Sequence, residues 1–342
     1  ESVGMANDST PMTTATPIGV KSSSKTFLSA LILSQIEDGL YDLDDRVSAL
    51  LKTHRGYQSL DKSLIPDATV EELLTQTSGV AEDIPTGFKA FVLMMDSNWE
   101  PSDFFDLIQD SPNPPGTFKY AGPNSFLLGM IAEHLGGNRL NALYQEKLLG
   151  PLSIKAVLLP RVEIPPGMAS PYDNRSRYGG SRGFGDLTQI PIFSNVNFIK
   201  ADARLSWASA GIVSTPENMA RWAYELFSTK GSAVSPEVRA QLTSSFREAT
   251  ISLGGAPQKY GYHIALKQHR LSDGSYVTTY GHPGGGAGYA SALFYAPSLD
   301  LAISILTNSD LGQLLGTCAS RSENTSPFDC ITRDVFEIVL GQ

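Results

Sequence analysis

The clearest periodic pattern in the chain begins at Thr26, where apolar residues recur at steps of three and four positions. This spacing places them on one face of a helix, which Gly39 is expected to end. Up to about residue 200, shorter helical patterns alternate with loops rich in proline and glycine, and residues 165–197 predict long surface loops. The helices predicted in this part are residues 42–51, 69–74, 125–135 and 139–149.

The pattern changes after residue 205, where strand-like runs replace most of the helical ones. Thr215 is a natural N-cap with Pro216 at the first helical position, and Ser326-Pro327 opens a last helix that runs to Leu340. Turn residues at 272–274 and 297–298 separate neighbouring strands. The predicted strands are residues 260–266, 276–281, 288–295 and 301–307.

A strand meander bracketed by helices, together with a mainly helical middle, predicts an α+β fold. Residues 1–60 and 205–342 would form a lobe built on the sheet, and residues 61–204 would form an inserted helical lobe. The length of 342 residues is enough for two such lobes.

Charge and hydropathy exclude two classes of partner. The formal net charge is −9 and no run is rich in lysine and arginine, which argues against nucleic-acid binding. The longest apolar stretch, residues 27–36, is interrupted by polar residues and falls short of the roughly 18 residues of a membrane span. We therefore expect a soluble protein that binds neither nucleic acid nor membrane.

Cysteines and glycosylation sequons bear on the compartment. The two cysteines, Cys318 and Cys330, flank a short polar loop, and a disulfide closing it would contribute about 3 kcal/mol through loop entropy. Acceptor sequons for N-glycosylation begin at Asn7, Asn174 and Asn324. Together these features favour a secreted glycoprotein with a disulfide. The alternative is a cytoplasmic protein with two free thiols.

The first segment that carries chemistry is Ser22-Ser23-Ser24-Lys25, directly before the apolar helix. Ser22 and Lys25 are three positions apart, so they share a helix face. A serine hydroxyl is a weak nucleophile that needs a base, and a buried lysine can serve when its amine is neutral. A helix that starts at Ser22 also directs N–H groups at developing oxyanion charge. The alternative is a serine-rich N-cap before a solvated lysine.

Two further segments are candidates. Tyr120 lies between Pro-Gly and Gly-Pro pairs, and a phenol beside an ammonium can relay protons; the alternative is a packing tyrosine. Residues 280–288, around His282 and a run of glycines, lie between two predicted strands and permit close backbone approach of a ligand. The alternative there is a flexible hairpin connection.

With their order and flanking residues, these segments resemble the serine-hydrolase superfamily of class C β-lactamases, D-alanyl-D-alanine carboxypeptidases and family VIII esterases. The resemblance covers nearly the whole chain. It implies an antiparallel sheet flanked by helices, with an all-helical lobe inserted in the middle. The matching segments are residues 11–13, 22–27, 73–79, 115–120, 127–129, 211–216, 281–284 and 306–308.

The resemblance also implies residue roles. Ser22 would be the acylated nucleophile, Lys25 its activating base, and Tyr120 a proton relay that works with the lysine. The N–H groups of Ser22 and Gly285 would form the oxyanion hole. The family's third motif, next to the substrate, corresponds to His282-Pro283-Gly284.

The chain departs from the family pattern in three places. Gly122 stands where the second motif usually carries asparagine, which removes an amide contact to the substrate. Gln76 replaces a histidine of the segment at 76–79, a change we interpret as structural. The family's first helix and first two sheet strands would precede residue 1, which predicts a truncated N-terminus or a bare sheet edge.

The leading functional hypothesis is hydrolysis of an ester or strained amide through an acyl-enzyme. The alternatives are an acyltransferase of secondary metabolism that passes the acyl group to an alcohol, and a non-catalytic relative that binds ligand. The expected partner is a small-molecule acyl substrate, and the sequence gives no indication of oligomeric state. No cofactor is predicted, and no metal site, because the histidines lack ligand spacing: His54, His134, His263, His269 and His282.

Overall fold

The computed structural model describes residues 1–81, 92–93, 95–171, 198–249, 258–309 and 326–341. In these ranges the chain forms helices and two antiparallel sheets, so the predicted α+β class is confirmed. The division into residues 61–204 and the remainder stays a prediction.

A helix lies in each predicted range, and further helices that the sequence patterns did not predict lie at residues 55–58, 150–152, 198–210 and 236–244. They are α1 (Lys25–Glu37), α2 (Val47–Leu50), α3 (Arg55–Gln58), α4 (Val70–Leu74), α5 (Gly122–Gly136), α6 (Leu140–Tyr144), α7 (Gly150–Leu152), α8 (Phe198–Ala210), α9 (Pro216–Phe227), α10 (Pro236–Ser244) and α11 (Pro327–Leu340). Turns of 3₁₀-helix occupy Lys21–Ser24, Pro101–Leu107 and Pro297–Leu299, and a π-helical turn, Gln145–Leu149, joins α6 to α7.

The strands form one large and one small sheet. They are β1 (Ile18–Gly19), β2 (Ala156–Leu158), β3 (Ile212–Ser214), β4 (Arg247–Ala249), β5 (Gln258–Tyr260), β6 (Ala265–Arg270), β7 (Tyr276–Gly286), β8 (Tyr289–Ala296) and β9 (Leu301–Thr307). The large sheet is a meander in the order β4-β5-β6-β7-β8-β9, and the small one has the order β1-β3-β2.

Three expectations about single elements are wrong. The run 260–266 is not one strand, because a turn at 261–264 separates β5 from β6. The glycine-rich segment 282–286 is no loop between strands: it is the second half of β7 and pairs with β8 throughout. Helix α2 spans Val47–Leu50 rather than the ten residues predicted.

Both faces of the large sheet are covered. Successive side chains of a strand point to opposite faces of the sheet. The contacts of two neighbouring residues of β8 therefore show what covers each face. Tyr295 contacts Phe227 of α9, whereas Phe294 contacts His269, which in turn contacts Phe336 of α11. Every residue of β8 is buried, as expected for a strand between two layers.

Helix α1 lies in the centre of the core. Its residues from Lys25 to Leu33 are all buried, so it is enclosed on every side rather than along one stripe. Phe27 stacks on Trp222 of α9 with ring centroids 4.2 Å apart, and Trp222 Nε1 donates to Thr26 Oγ1 at 2.9 Å. This packing fixes the start of α1, where the candidate chemistry lies.

Candidate active site

Ser22 occupies the second position of the 3₁₀ turn that leads into α1. The turn follows β1 sharply, because Lys21 has a positive φ of 50°. The N–H of Ser23 donates to the carbonyl oxygen of Val20, the residue that caps the turn, at 3.2 Å. The N–H of Ser22 precedes it and remains available at the helix start. Ser22 itself is half-buried.

Lys25 brings its amine back to Ser22, as the three-residue spacing predicts. Its Nζ lies 3.4 Å from Ser22 Oγ and donates to Ser209 O at 2.9 Å. The residue is 1% exposed. The Tyr120 ring lies on another side of the amine, with 4.9 Å between Nζ and the ring centroid. The three residues assigned to catalysis, Ser22, Lys25 and Tyr120, therefore lie together.

Tyr120 is held by the start of α5, whose N-cap is Ala121. The buried Gln76 side chain fixes this start: its Oε1 accepts from Ala121 N at 2.7 Å and from Asn124 Nδ2 at 2.8 Å. Because Oε1 accepts these two hydrogen bonds, the other end of the Gln76 amide is the donor: its Nε2 donates to Nε2 of the His263 ring at 3.0 Å. The expectation that Gln76 is structural agrees with these contacts.

His263 lies below this amide and is completely buried. Burial lowers the pKa of its imidazole well below the usual value, and the nearby Lys25 lowers it further. The side chain is therefore neutral at ordinary pH. Sequence reasoning missed this residue, because its partners Gln76 and Lys25 are far away along the chain.

His282 is also fully buried, beneath the predicted substrate strand. Its Nδ1 donates to Pro283 O at 2.5 Å, and its Nε2 accepts from the Tyr260 hydroxyl at 3.0 Å. Burial, with a contribution from Lys25, lowers the pKa of His282 to about 3. The residue is thus a neutral support of β7, with the Tyr120 ring centroid 6.0 Å from its own.

Gly284 allows β7 to approach Ser22 closely. A Cβ at this position would lie 2.8 Å from Ser22 N, 2.6 Å from Val20 O and 2.5 Å from Ser291 Oγ. Two of these atoms are backbone, so they cannot move aside cheaply. Any side chain here would push β7 away from Ser22.

Gly285 presents its N–H on the side of β7 that β8 does not cover. Residues 287–288 have positive φ values of 51° and 76°, which is the two-residue type I′ hairpin turn, so Gly286 and Tyr289 form a hydrogen-bonded pair. Pairing alternates along an antiparallel ladder, so the preceding Gly285 directs its N–H away from β8. Gly285 is exposed. The arrangement fits a second oxyanion donor beside Ser22.

Gly122 is the first residue of α5, two positions after Tyr120. A Cβ at this position would find Ser209 Oγ as its nearest atom, at 3.9 Å. The site therefore has room for a Cβ at this position.

Several predicted positions lie outside the described residues, among them Cys318, Asn174 and Asn324. Cys330 is buried in α11 and is not a free thiol, but its pairing with Cys318 stays a prediction. Asn7 Oδ1 accepts from the N–H groups of Ser9 and Thr10 in a local turn.

Neither a membrane-spanning helix nor a metal-binding cluster is found among the residues that the structure describes. No helix among the residues the structure describes is both long and apolar enough to span a membrane. Within the same part of the chain, no group of three or more His, Cys, Asp or Glu side chains is arranged to hold a metal ion.

Comparison with known proteins identifies a matching family and several similar proteins. The model of the family described as Beta-lactamase matches residues 2–317. A D-aminopeptidase of Cereibacter sphaeroides (strain KD131 / KCTC 12085) is 24% identical over 308 residues, which are 87% of this chain and 51% of that protein. The chain thus spans about half the length of the curated relatives it matches.

Solved structures share the fold. The D-amino acid amidase from Ochrobactrum anthropi SV3 superposes with a TM-score of 0.71 at 18% identity, covering 98% of this chain and 90% of that one. The penicillin-binding protein from Bacillus halodurans gives a TM-score of 0.68 at 18% identity, with 92% and 89% covered. These likenesses confirm the predicted arrangement of a sheet flanked by helices.

Proposed function

The chain belongs to the beta-lactamase family, and on that premise we propose that it is a serine hydrolase that cleaves a small ester or amide through an acyl-enzyme on Ser22. The observation that carries the proposal is the buried Lys25 amine, 3.4 Å from Ser22 Oγ. A serine nucleophile needs a base within reach, and such contacts often tighten only when substrate binds.

The reaction would proceed in two steps. A neutral Lys25 amine takes the hydroxyl proton as Ser22 Oγ attacks the carbonyl carbon, and the N–H groups of Ser22 and Gly285 bind the resulting oxyanion. The leaving group departs with the proton, carried by Lys25 and Tyr120. Water then attacks the acyl-enzyme and gives a proton to the same pair. That proton passes to Ser22 Oγ as the bond to the acyl group breaks, which releases the acid and restores Ser22 and the neutral Lys25 amine.

Both esters and amides fit this scheme, and the choice between them is part of the proposal. The names of the relatives, a D-aminopeptidase and a D-amino acid amidase, support amide substrates. Gly122 favours esters, because no side-chain amide at this position can bond the amide of an acyl group. An activated ester also leaves without a well-placed acid, whereas an amine does not. We propose activated esters as the faster substrates.

The proposal is tested by covalent labelling and intact mass. A fluorophosphonate should add one adduct to the folded protein, on the peptide that carries Ser22, and Ser22→Ala should abolish it. An adduct on Ser23 or Ser24 would reject the assignment. A folded protein that no fluorophosphonate labels and that no activated ester or β-lactam acylates would instead be a non-catalytic binding relative.

An acyltransferase would form the same acyl-enzyme. The two activities separate when a panel of small alcohols is added to the ester assay and the products are identified. Release of the free acid at an unchanged rate supports hydrolysis, whereas an ester of the added alcohol as main product supports acyl transfer.

A further inference from the structure

Two serine hydroxyls join the nucleophile segment to the large sheet. Ser23 and Ser291 are each completely buried, and their Oγ atoms lie 2.8 Å apart. Ser23 Oγ donates to His282 O in β7 at 2.7 Å. Ser291 Oγ, from β8, donates to Val20 O at 2.6 Å. The two contacts run in opposite directions, one from the nucleophile segment to the sheet and one from the sheet back to that segment.

These contacts bracket Ser22 on both sides. Val20 lies two residues before it and Ser23 one residue after it, so the segment is tied to the sheet on either side of its N–H. On the sheet, the tie to His282 lies three residues before Gly285. The serine pair therefore connects the two backbone elements that supply the two oxyanion donors.

Each hydroxyl has a single proton, so at most two of the three short contacts are hydrogen bonds at one time. Loss of either serine leaves the other with a carbonyl acceptor. Ser23→Ala keeps the bond from Ser291 to Val20 O, and Ser291→Ala keeps the bond from Ser23 to His282 O. The two variants thus release one tie each without leaving a buried hydroxyl unpaired.

We propose that Ser23 and Ser291 are positioning residues that set the distance between the Ser22 and Gly285 N–H groups. This inference rests on the proposed function. Gly284 shows how tight the approach is, since a Cβ there would lie 2.8 Å from Ser22 N. Oxyanion donors stabilise a transition state only when they are held at hydrogen-bond distance, and productive geometry tolerates about 0.5 Å.

The test separates binding from chemistry. For Ser23→Ala and Ser291→Ala, stopped-flow acylation by p-nitrophenyl acetate should show a rate constant reduced about 10- to 100-fold, with the dissociation constant of the ester within about twofold of the wild type. A boronic acid that forms a tetrahedral anion on Ser22 should bind more weakly by a similar factor, because it uses the same donors.

Ser24→Ala is the matched control. Ser24 is equally buried and lies on the same segment, but its Oγ accepts a hydrogen bond from Ile212 N of β3, at 3.1 Å, rather than one from the large sheet. Its acylation rate should stay within about threefold of the wild type. Equal losses in all three variants, or losses that follow the melting temperature, would overturn the positioning role.

The outcomes also separate this inference from the proposed function. A wild-type protein that neither esters nor boronic acids modify overturns both. A wild type that is acylated on Ser22, with Ser23→Ala and Ser291→Ala reacting at its rate, overturns only the positioning role. If Ser23→Ala does not fold, Ser291→Ala carries the same expectation, since it removes only the tie to Val20.

Discussion

Two buried lysines flank Ser22, and their surroundings differ. Lys21 Nζ lies 2.7 Å from a carboxylate oxygen of Asp202, and both side chains are largely shielded, at 7% and 12% exposed. Lys25 Nζ donates to a backbone carbonyl at 2.9 Å and lies 3.4 Å from the hydroxyl of Ser22. One lysine thus ends in an ion pair, and the other ends at the hydroxyl of Ser22, the proposed nucleophile.

The difference shows that two lysines four residues apart can have different roles, one structural and one chemical. The ion pair with Asp202 connects Lys21 to α8, so Lys21 suits a structural role. A carbonyl and a hydroxyl can hydrogen-bond an amine in either protonation state, so the position of Lys25 is compatible with a base. General-base catalysis requires hydrogen-bond reach to the proton that is abstracted, and Lys25 has that reach to Ser22.

The largest expected effect comes from Lys25. Lys25→Ala and Lys25→Arg should both lower kcat/KM for an activated ester by about 10²- to 10⁴-fold, because arginine keeps the charge but stays protonated. Steady-state kinetics on folded variants measure this. An arginine variant with a tenth of the wild-type activity would show that Lys25 only supplies charge. Lys21→Met is the contrast, with a loss of less than about tenfold expected.

The next effect concerns the ion pair. Asp202→Asn leaves the Lys21 ammonium buried without its carboxylate, which should lower the free energy of unfolding by about 3 kcal/mol. Urea denaturation at pH 7 measures it. The double variant Lys21→Met/Asp202→Leu should recover most of the loss, since breaking a buried pair costs more than replacing both partners. Equal losses in both variants would contradict this interpretation.

The third effect is a pH dependence beside Lys25. Burial lowers the pKa of His282 to about 3, so below about pH 6.5 the unfolded chain binds a proton that the folded chain does not. The free energy of unfolding should therefore fall as the pH drops from about 6.5 towards 3, by up to about 1.4 kcal/mol per pH unit from this residue. Stability is insensitive to His282 above that window.

His282→Gln should flatten this slope, whatever its stability at pH 7. Urea denaturation of both proteins between pH 4 and pH 8 gives the comparison. Identical slopes would show that His282 does not stay neutral in the folded protein. In the ester assay, the wild-type pH profile between 5 and 8 should carry no titration of His282.

The smallest expected effect is at Gly122. Gly122→Asn should tighten the binding of substrates with an amide in the acyl group about three- to tenfold, the value of one hydrogen bond to a neutral group. Cleavage of a butyrate ester should stay within about twofold. Inhibition constants for nitrocefin, set against ester kinetics, measure the ratio. Gly122→Ala, which adds no amide, is the control and should not change it.

The sequence was sufficient to predict features that depend on residues close together in the chain. The three-residue step from Ser22 to Lys25 fixed their shared face, and Thr215-Pro216 and Ser326-Pro327 located two helix starts correctly. The type I′ turn at 287–288 shows the limit: glycines were noted there, but the pairing of 282–286 as a strand was not foreseen. A run of glycines has no side-chain alternation from which a strand can be recognised.

By itself, then, the sequence determined the fold class and predicted that Ser22 and Lys25 lie together, because these depend on local periodicity and on motifs with fixed spacing. Only the tertiary structure decided what surrounds them. The pairing of Lys21 with Asp202, the support of Tyr120 by Gln76, and the hydroxyl contact between Ser23 and Ser291 join residues far apart in the chain. Such contacts depend on how the helices pack against the sheet, and that packing leaves no periodic signal in the sequence.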